Sequence, residues 1–133
     1  MRDVPIDRIM TLDPATVGPQ HTVAEARRIL ETDAINHLPV VEGERLVGIV
    51  SSSDLLKLHL LDDKQPLLES ATVGQIMATN IIVLDRDATL REAAEKLSMG
   101  SFHALPVVDR RRRLHGIVTS SDLIGELLRN LAA

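Results

Sequence analysis

The chain has 133 residues, 15 Lys and Arg against 19 Asp and Glu, a net charge of −4 and no cysteine. This length fits one compact domain with a real core, and the missing cysteines exclude disulfides, thiolate metal sites and cysteine nucleophiles. The acidic balance argues against non-specific binding to a phosphate backbone.

Phe102 is the sole aromatic residue, so a stacking platform for single-stranded nucleic acid has almost nothing to be built from. A bound base would have to lie between aliphatic side chains. No apolar run approaches the ~18 residues of a membrane span. The start, Met1-Arg2-Asp3-Val4-Pro5, lacks the apolar stretch of a secretory signal. A cytoplasmic protein without membrane insertion is expected.

In chain order, Val4 to Met10 reads as a short helix or turn that Asp13-Pro14 breaks, followed by a short strand at Ala15-Thr16-Val17. Thr22 with Glu25 predicts a capping box opening a helix to about Thr32, with Val23, Ala26 and Leu30 on one face. His37 to Val41 and Leu46 to Val50 read as strands around a turn at Glu42 to Arg45. A helix capped by Ser52 then runs to about Leu61, and Asp62-Asp63-Lys64-Gln65-Pro66 reads as a linker.

The second half predicts the same series. A strand near Ile81 to Leu84 precedes a Thr89/Glu92 capping box and a helix to Ser98, which Met99-Gly100 stops. Asp33 holds the place of Gly100 in the first half and is expected to take the same left-handed conformation. Strands at Ala104 to Val108 and Leu114 to Val118 lead to a last helix from Ser121 to about Leu131.

The halves match residue by residue. Ile9-Met10, Thr22-x-x-Glu25-Ala26 and Leu38-Pro39-Val40-Val41 recur 67 residues later as Ile76-Met77, Thr89-x-x-Glu92-Ala93 and Leu105-Pro106-Val107-Val108. Gly48-Ile49-Val50-Ser51-Ser52-Ser53-Asp54 recurs 68 residues later as Gly116-Ile117-Val118-Thr119-Ser120-Ser121-Asp122, so one residue is inserted between Val108 and Gly116. The chain is a β-α-β-β-α unit written twice, an α/β (α+β) protein with repeats at 1–64 and 65–133. Each repeat alone would be marginal, and a pair can share a core.

The Gly-led stretch carries the chemistry. A β-branched strand turns into a helix start, where free N–H groups and a partial positive charge favour an anion. Ser51 and Thr119 add hydroxyls, and Asp54 and Asp122 add carboxylates that can accept from two hydroxyls at once. The competing reading is a plain helix cap with a favourable acidic residue in the first turn. Ser52 and Ser120 are assigned to capping alone.

Two full sets of these motifs, in order and at one spacing, resemble a tandem pair of cystathionine-β-synthase (CBS) domains. The resemblance covers almost the whole chain, from Ile9-Met10 to the last helix. It implies two repeats related by pseudo-two-fold symmetry and a non-catalytic regulatory module. That module would bind an adenosine-containing nucleotide in clefts between the repeats and signal to a partner protein. AMP, ADP or ATP is the implied ligand, with S-adenosylmethionine or NAD as further options, and no cofactor is required.

Carried over by position, Ser51, Asp54, Thr119 and Asp122 contact the nucleotide. Ala15, Thr16, Asn36 and His37, and then Ile82, Val83, His103 and Ala104, surround the base. The resemblance also implies a homodimer that pairs through its helices.

The remaining features weigh less. Arg110-Arg111-Arg112-Arg113 fills the turn with the insertion and reads by default as a solvated hairpin, with a phosphate or partner contact as the other reading. His21, His37, His59, His103 and His115 show no i, i+4 pair, so no metal site is expected. No P-loop or activated nucleophile is present, so no enzyme is expected. Leucines crowd the two post-strand helices: Leu55, Leu56, Leu58, Leu60 and Leu61, then Leu123, Ile124, Leu127, Leu128 and Leu131. That crowding supports a second function, a ligand-free dimerisation or assembly module.

Overall fold

The computed structural model describes residues 4–61, 70–100 and 102–132; the predicted linker Asp62 to Pro66, the boundary between repeats 1–64 and 65–133, and the side chains of His59 and Leu61 lie outside them. A 3-10 turn at Ile6–Arg8 is followed by β1 (Thr11–Leu12), α1 (Val23–Thr32), β2 (His37–Glu42), β3 (Arg45–Ser51) and α2 (Ser52–Leu61). Then come α3 (Val73–Ile76), β4 (Leu84–Asp85), α4 (Leu90–Leu97), β5 (Ala104–Val108), β6 (Leu114–Thr119) and α5 (Ser120–Ala132).

Two compact units form. A contiguous unit holds Ala15–Ile81, and a composite unit joins Met1–Pro14 to Ile82–Ala133. The lead-in segment of each sequence repeat is thus exchanged. Ile6 packs in the core of the composite unit with Leu84, Leu105, Val107 and Val118. Its counterpart Val73 packs in the contiguous unit with Val23, Leu30, Leu38, Val40 and Val50. The compact units therefore do not coincide with the repeats at 1–64 and 65–133.

The sheet of the composite unit has the order β1-β6-β5-β4. β1 and β5 run antiparallel to β6, and β4 runs parallel to β5 with Leu84 opposite Val107. In the contiguous unit β2 and β3 pair antiparallel, and single bridges repeat the outer positions: Ile49 with Ala78 on one side, Val17 with Val40 on the other. The strand expected over Ala15 to Val17 is reduced to this one bridge, in which Val17 N–H donates to Pro39 and Val41 N–H donates to Val17. With two ladder bonds near one residue, no longer strand is formed. The strand expected near Ile81 to Leu84 lies instead at Leu84–Asp85.

Pro39 lies inside β2 without breaking the ladder. Its partner Ile49 directs both backbone bonds to Ala78, each 3.0 Å long, so the proline replaces no donor on that side. In each hairpin the register slips by one residue, after Val40 and after Val107.

α1 carries the predicted capping box. Thr22 Oγ1 accepts from Glu25 N–H at 3.1 Å, and Glu25 Oε1 accepts from Thr22 N–H at 3.4 Å. The backbone N–H of Thr22 is the main cause that holds the Glu25 carboxyl below its ordinary value. On α4 the box is half made: Thr89 Oγ1 accepts from Glu92 N–H at 3.3 Å.

Gly100 is left-handed as expected, with φ 88°, but Asp33 is not, with φ −88°. Ala34 takes the left-handed place at φ 53°. α1 runs on to Thr32, and its end closes as a Schellman motif. Ile35 N–H donates to Leu30 C=O at 3.0 Å and Ala34 N–H to Glu31 C=O at 3.3 Å, while Ile35 packs against the core beside Leu30.

Candidate functional site

In each unit the candidate residues collect at one end of the sheet. His37, at the start of β2, lies opposite Ser51 at the end of β3, and Ala104 lies opposite Thr119 in the same way. The preceding residues latch the helices to the strands: Ser52 N–H donates to Asn36 C=O at 2.9 Å, and Ser120 N–H donates to His103 C=O at 3.0 Å. Asn36 and His103 are therefore structural equivalents. Ala15 and Thr16 precede the Val17 bridge to Val40, and Ile82 and Val83 precede the Leu84 pairing with Val107, so both pairs reach the same end of the sheet. Each unit gathers its own six candidates.

The caps are one residue earlier than the sequence reading placed them. Ser51 Oγ accepts from Asp54 N–H at 3.1 Å, and Thr119 Oγ1 accepts from Asp122 N–H at 3.2 Å. Ser51 and Thr119 are thus the helix caps, and each Asp is the third residue of its helix. Ser52 and Ser120 do not cap. Ser52 Oγ donates to Asn36 Oδ1 at 3.1 Å, and Ser120 Oγ donates to His103 C=O at 3.5 Å. A hydroxyl that accepts one N–H keeps its own proton to donate, so capping leaves Ser51 and Thr119 able to contact an anion.

The two sites differ in their carboxylates. Asp122 Oδ2 accepts from Thr119 N–H at 2.8 Å, completing a reciprocal box in a part-buried setting. Asp54 is exposed and lacks that bond; near it Ser51 Oγ meets Ser53 Oγ at 3.3 Å. Ahead of β4, Lys96 Nζ donates to Val83 C=O at 2.9 Å, a contact that the sequence alone does not announce. Its counterpart in the first repeat is Ile29, which cannot donate.

The glycines that open the two motifs serve packing. A Cβ on Gly48 would meet the Met77 side chain and come within 3.1 Å of Ala78 C=O. A Cβ on Gly116 would lie 2.7 Å from Met10 Sδ and 2.8 Å from Thr11 C=O. The repeated Ile-Met pair thus seats each lead-in segment against the Gly-led strand of the other repeat.

The arginine turn lies at the far end of its hairpin, about 13 Å along β5 from Ala104 by strand rise, so it does not line the site of its own unit. Asp109 braces it. Oδ1 accepts from Arg111 and Arg113 N–H at 2.9 and 3.0 Å, and Oδ2 accepts from Arg113 Nε at 2.8 Å and His115 Nε2 at 2.9 Å. The His115 bond is the largest cause that holds the Asp109 carboxyl far below its ordinary value. Among the described residues no group of three or more His, Asp or Glu is placed to hold a metal ion, and no helix is long and apolar enough to cross a membrane.

The two-fold motif series and the two matched strand-to-helix junctions agree with a family comparison, in which the CBS domain model matches residues 6–60 and 73–129. The chain belongs to the CBS domain family. Its fold is that of a CBS pair. The CBS domain pair of protein MJ0100, in complex with 5′-methylthioadenosine and S-adenosyl-L-methionine, is 34% identical with a TM-score of 0.82, covering 98% of this chain and 99% of that one. CBSX2, a CBS-pair protein from Arabidopsis thaliana, is 29% identical in its complex with AMP with a TM-score of 0.81, covering 96% and 98%.

Among curated proteins, a homoserine O-acetyltransferase of Methanohalobium evestigatum is 35% identical over 119 residues, 89% of this chain and 23% of that protein. An L-aspartate semialdehyde sulfurtransferase of Methanocaldococcus jannaschii is 38% identical over 116 residues, 86% of this chain and 21% of that protein. The chain spans less than a quarter of either enzyme.

Proposed function

We propose that the chain is a non-catalytic regulatory module that senses an adenosine-containing ligand and signals its occupancy to a partner protein. The observation that carries this reading is the repeated constellation: a capping hydroxyl, an Asp in the first helical turn and a latched pre-strand residue, at Ser51, Asp54 and Asn36 and again at Thr119, Asp122 and His103. The hydroxyl and helix start would take a phosphate or other polar group, and the carboxylate would take the ribose diol. The bases would lie toward Ala15, Thr16 and His37 in one unit and Ile82, Val83 and Ala104 in the other. The adenosine ligands of the MJ0100 pair and of CBSX2 support this class.

A thermal-shift panel of AMP, ADP, ATP, NAD and S-adenosylmethionine tests the reading. At least one compound at a hundred times its dissociation constant should stabilise the protein by about 2.7 kcal/mol. The double variant Asp54→Asn, Asp122→Asn, which leaves both capping hydroxyls in place, should lose most of that gain. A flat response from ligand-free protein to all five compounds would overturn it.

A second reading, assembly into a homodimer, is favoured by one face of α5. Ile124, Leu127, Leu128 and Leu131 are all exposed, at the i, i+3, i+4, i+7 spacing of an apolar seam. Assembly and sensing are compatible on this chain.

A further inference from the structure

Sensing of a ligand gives the arginine turn no role, and neither does closure of its hairpin. The matching hairpin of the contiguous unit closes through Glu42-Gly43-Glu44-Arg45, with Gly43 as its left-handed residue at φ 62°. Glycine suits that conformation. The turn of the composite unit is one residue longer and puts Arg112 there at φ 65°, a strained place for a side chain. A hairpin at this point of the fold closes without arginines.

Asp109 makes the turn rigid. Its Oδ1 accepts from Arg111 and Arg113 N–H, its backbone N–H donates to Arg113 C=O at 3.1 Å, and its C=O accepts from Arg112 N–H at 2.9 Å. Oδ2 is taken by Arg113 Nε and His115 Nε2. The carboxylate thus serves the turn backbone, Arg113 and His115, and reaches neither the Arg110 nor the Arg111 guanidinium. Both residues are exposed, and among the described residues neither guanidinium has a hydrogen bond or ion pair. Two donor forks on a fixed turn lose little backbone freedom when they bind.

The sheet order limits what can reach them. The β5-β6 hairpin lies between β1 and β4, and both of those strands end at its turn. Asp13 N–H donates to His115 C=O at 3.3 Å, and Arg86 N–H donates to Val108 C=O at 2.9 Å. Exposed Asp13 therefore flanks the hairpin on one side and exposed Asp85 and Asp87 on the other, each about one strand spacing, ~5 Å, away. The arginines form a narrow positive ridge with acidic margins. A membrane surface or a nucleic-acid backbone carries anions over a wide area and would set them against those carboxylates. A short run of carboxylates laid along the turn meets the arginines alone.

We propose that the arginine turn docks an acidic segment of a partner protein, with Arg110 and Arg111 each gripping a carboxylate through the guanidinium fork. This gives the partner of the regulatory reading a chemistry, and it rests on that reading only for the existence of a partner. The adenosine site takes no part in it.

Fluorescence anisotropy of the full chain with a labelled octapeptide of alternating Asp and Glu tests this. The peptide should bind, and its Asn and Gln counterpart should not. Arg110→Ser with Arg111→Ser should weaken binding at least about tenfold, the scale of lost charge-assisted hydrogen bonds. Raising salt from about 0.05 M to about 0.5 M should also weaken it severalfold. Because both side chains are exposed, the double variant should keep the wild-type melting point and the wild-type response to the five panel compounds. No peptide binding, or equal binding by the variant, would overturn the docking and leave the adenosine reading standing. Tighter binding of oligothymidylate or phosphatidylserine vesicles through the same arginines would overturn the choice of a protein partner. A drop in mass by light scattering in the double variant would overturn it too, since the arginines would then hold a second copy of this chain. A flat panel with intact peptide binding would overturn the adenosine reading alone.

Discussion

Gly48 and Gly116 stand in the same motif, and a Cβ at either would meet a methionine side chain and a lead-in carbonyl, but the carbonyl lies closer at Gly116, 2.8 Å against 3.1 Å. At Gly116 the Thr11 carbonyl is closer than any real Cβ tolerates, so backbone must shift; at Gly48 the atoms that must shift belong to the flexible Met77 side chain, and the Ala78 carbonyl need give only slightly. Overpacking a strand against backbone costs about 1–3 kcal/mol, and a thioether can swing aside for less. Gly116→Ala should therefore lower the urea midpoint clearly more than Gly48→Ala, measured by circular dichroism in the same buffer. Equal losses would mean that the methionines, and not the lead-in backbone, limit the space.

The same scale shows where the sequence stopped being readable. Ser51-Ser52-Ser53 offers three consecutive hydroxyls, and each satisfies the preference for a cap. Only the strand ladder, which holds Ser51 opposite His37 and leaves Asp54 as the third helical residue, decides among them. Thr22 had no such competitor, and its box was readable. Asp54 and Asp122 were legible as candidates because they recur, whereas their unequal bonding was not, since identical residue types stand at both positions.

Among the elements, the hairpins and long helices were legible from periodicity and punctuation. The exchange of lead-in segments was not. Both repeats carry the same Ile-Met pair, so either segment fits either Gly-led strand by sequence. The two-residue strands β1 and β4 are likewise too short for any pattern. The arginine turn shows a device that composition hides. Arg112 is left-handed at φ 65°, and Asp109 binds two turn N–H groups, a guanidinium and an imidazole.

Because the folded Asp109 carboxyl titrates below its ordinary value of 3.8, it contributes stability that is present above that pH. The contribution is lost as pH falls from about 4 toward the folded value. Asp109→Asn should therefore be less stable than the wild type at pH 7, by urea titration, and the gap should narrow steadily below about pH 4. A gap that stays constant down to pH 2 would show that the brace works through shape alone.

At the scale of the molecule, α5 joins two surfaces. Its first turn carries Thr119 and Asp122, and its outer face carries the apolar seam of Ile124, Leu127, Leu128 and Leu131, with Leu131 83% exposed. Leu123, which crowds the same helix in the sequence, packs against the core of the composite unit, so the outer surface is narrowed to a stripe. Covering each of these side chains is worth about 1.5–3 kcal/mol, enough for two such helices to hold a pair together once association entropy is met.

Light scattering should accordingly give twice the chain mass of 14.6 kDa for the wild type and a single chain for Leu128→Glu with Leu131→Glu. A wild-type monomer at micromolar concentration would remove the seam as an interface. Where a ligand bound at Asp122 shifts the dimer constant, linkage requires dimerisation to shift the ligand constant by the same factor. The monomeric double variant should then bind the ligand with an affinity changed by that factor, although neither leucine belongs to the site. Equal affinities in the two forms, with an unchanged dimer constant, would show that sensing leaves this chain by another surface.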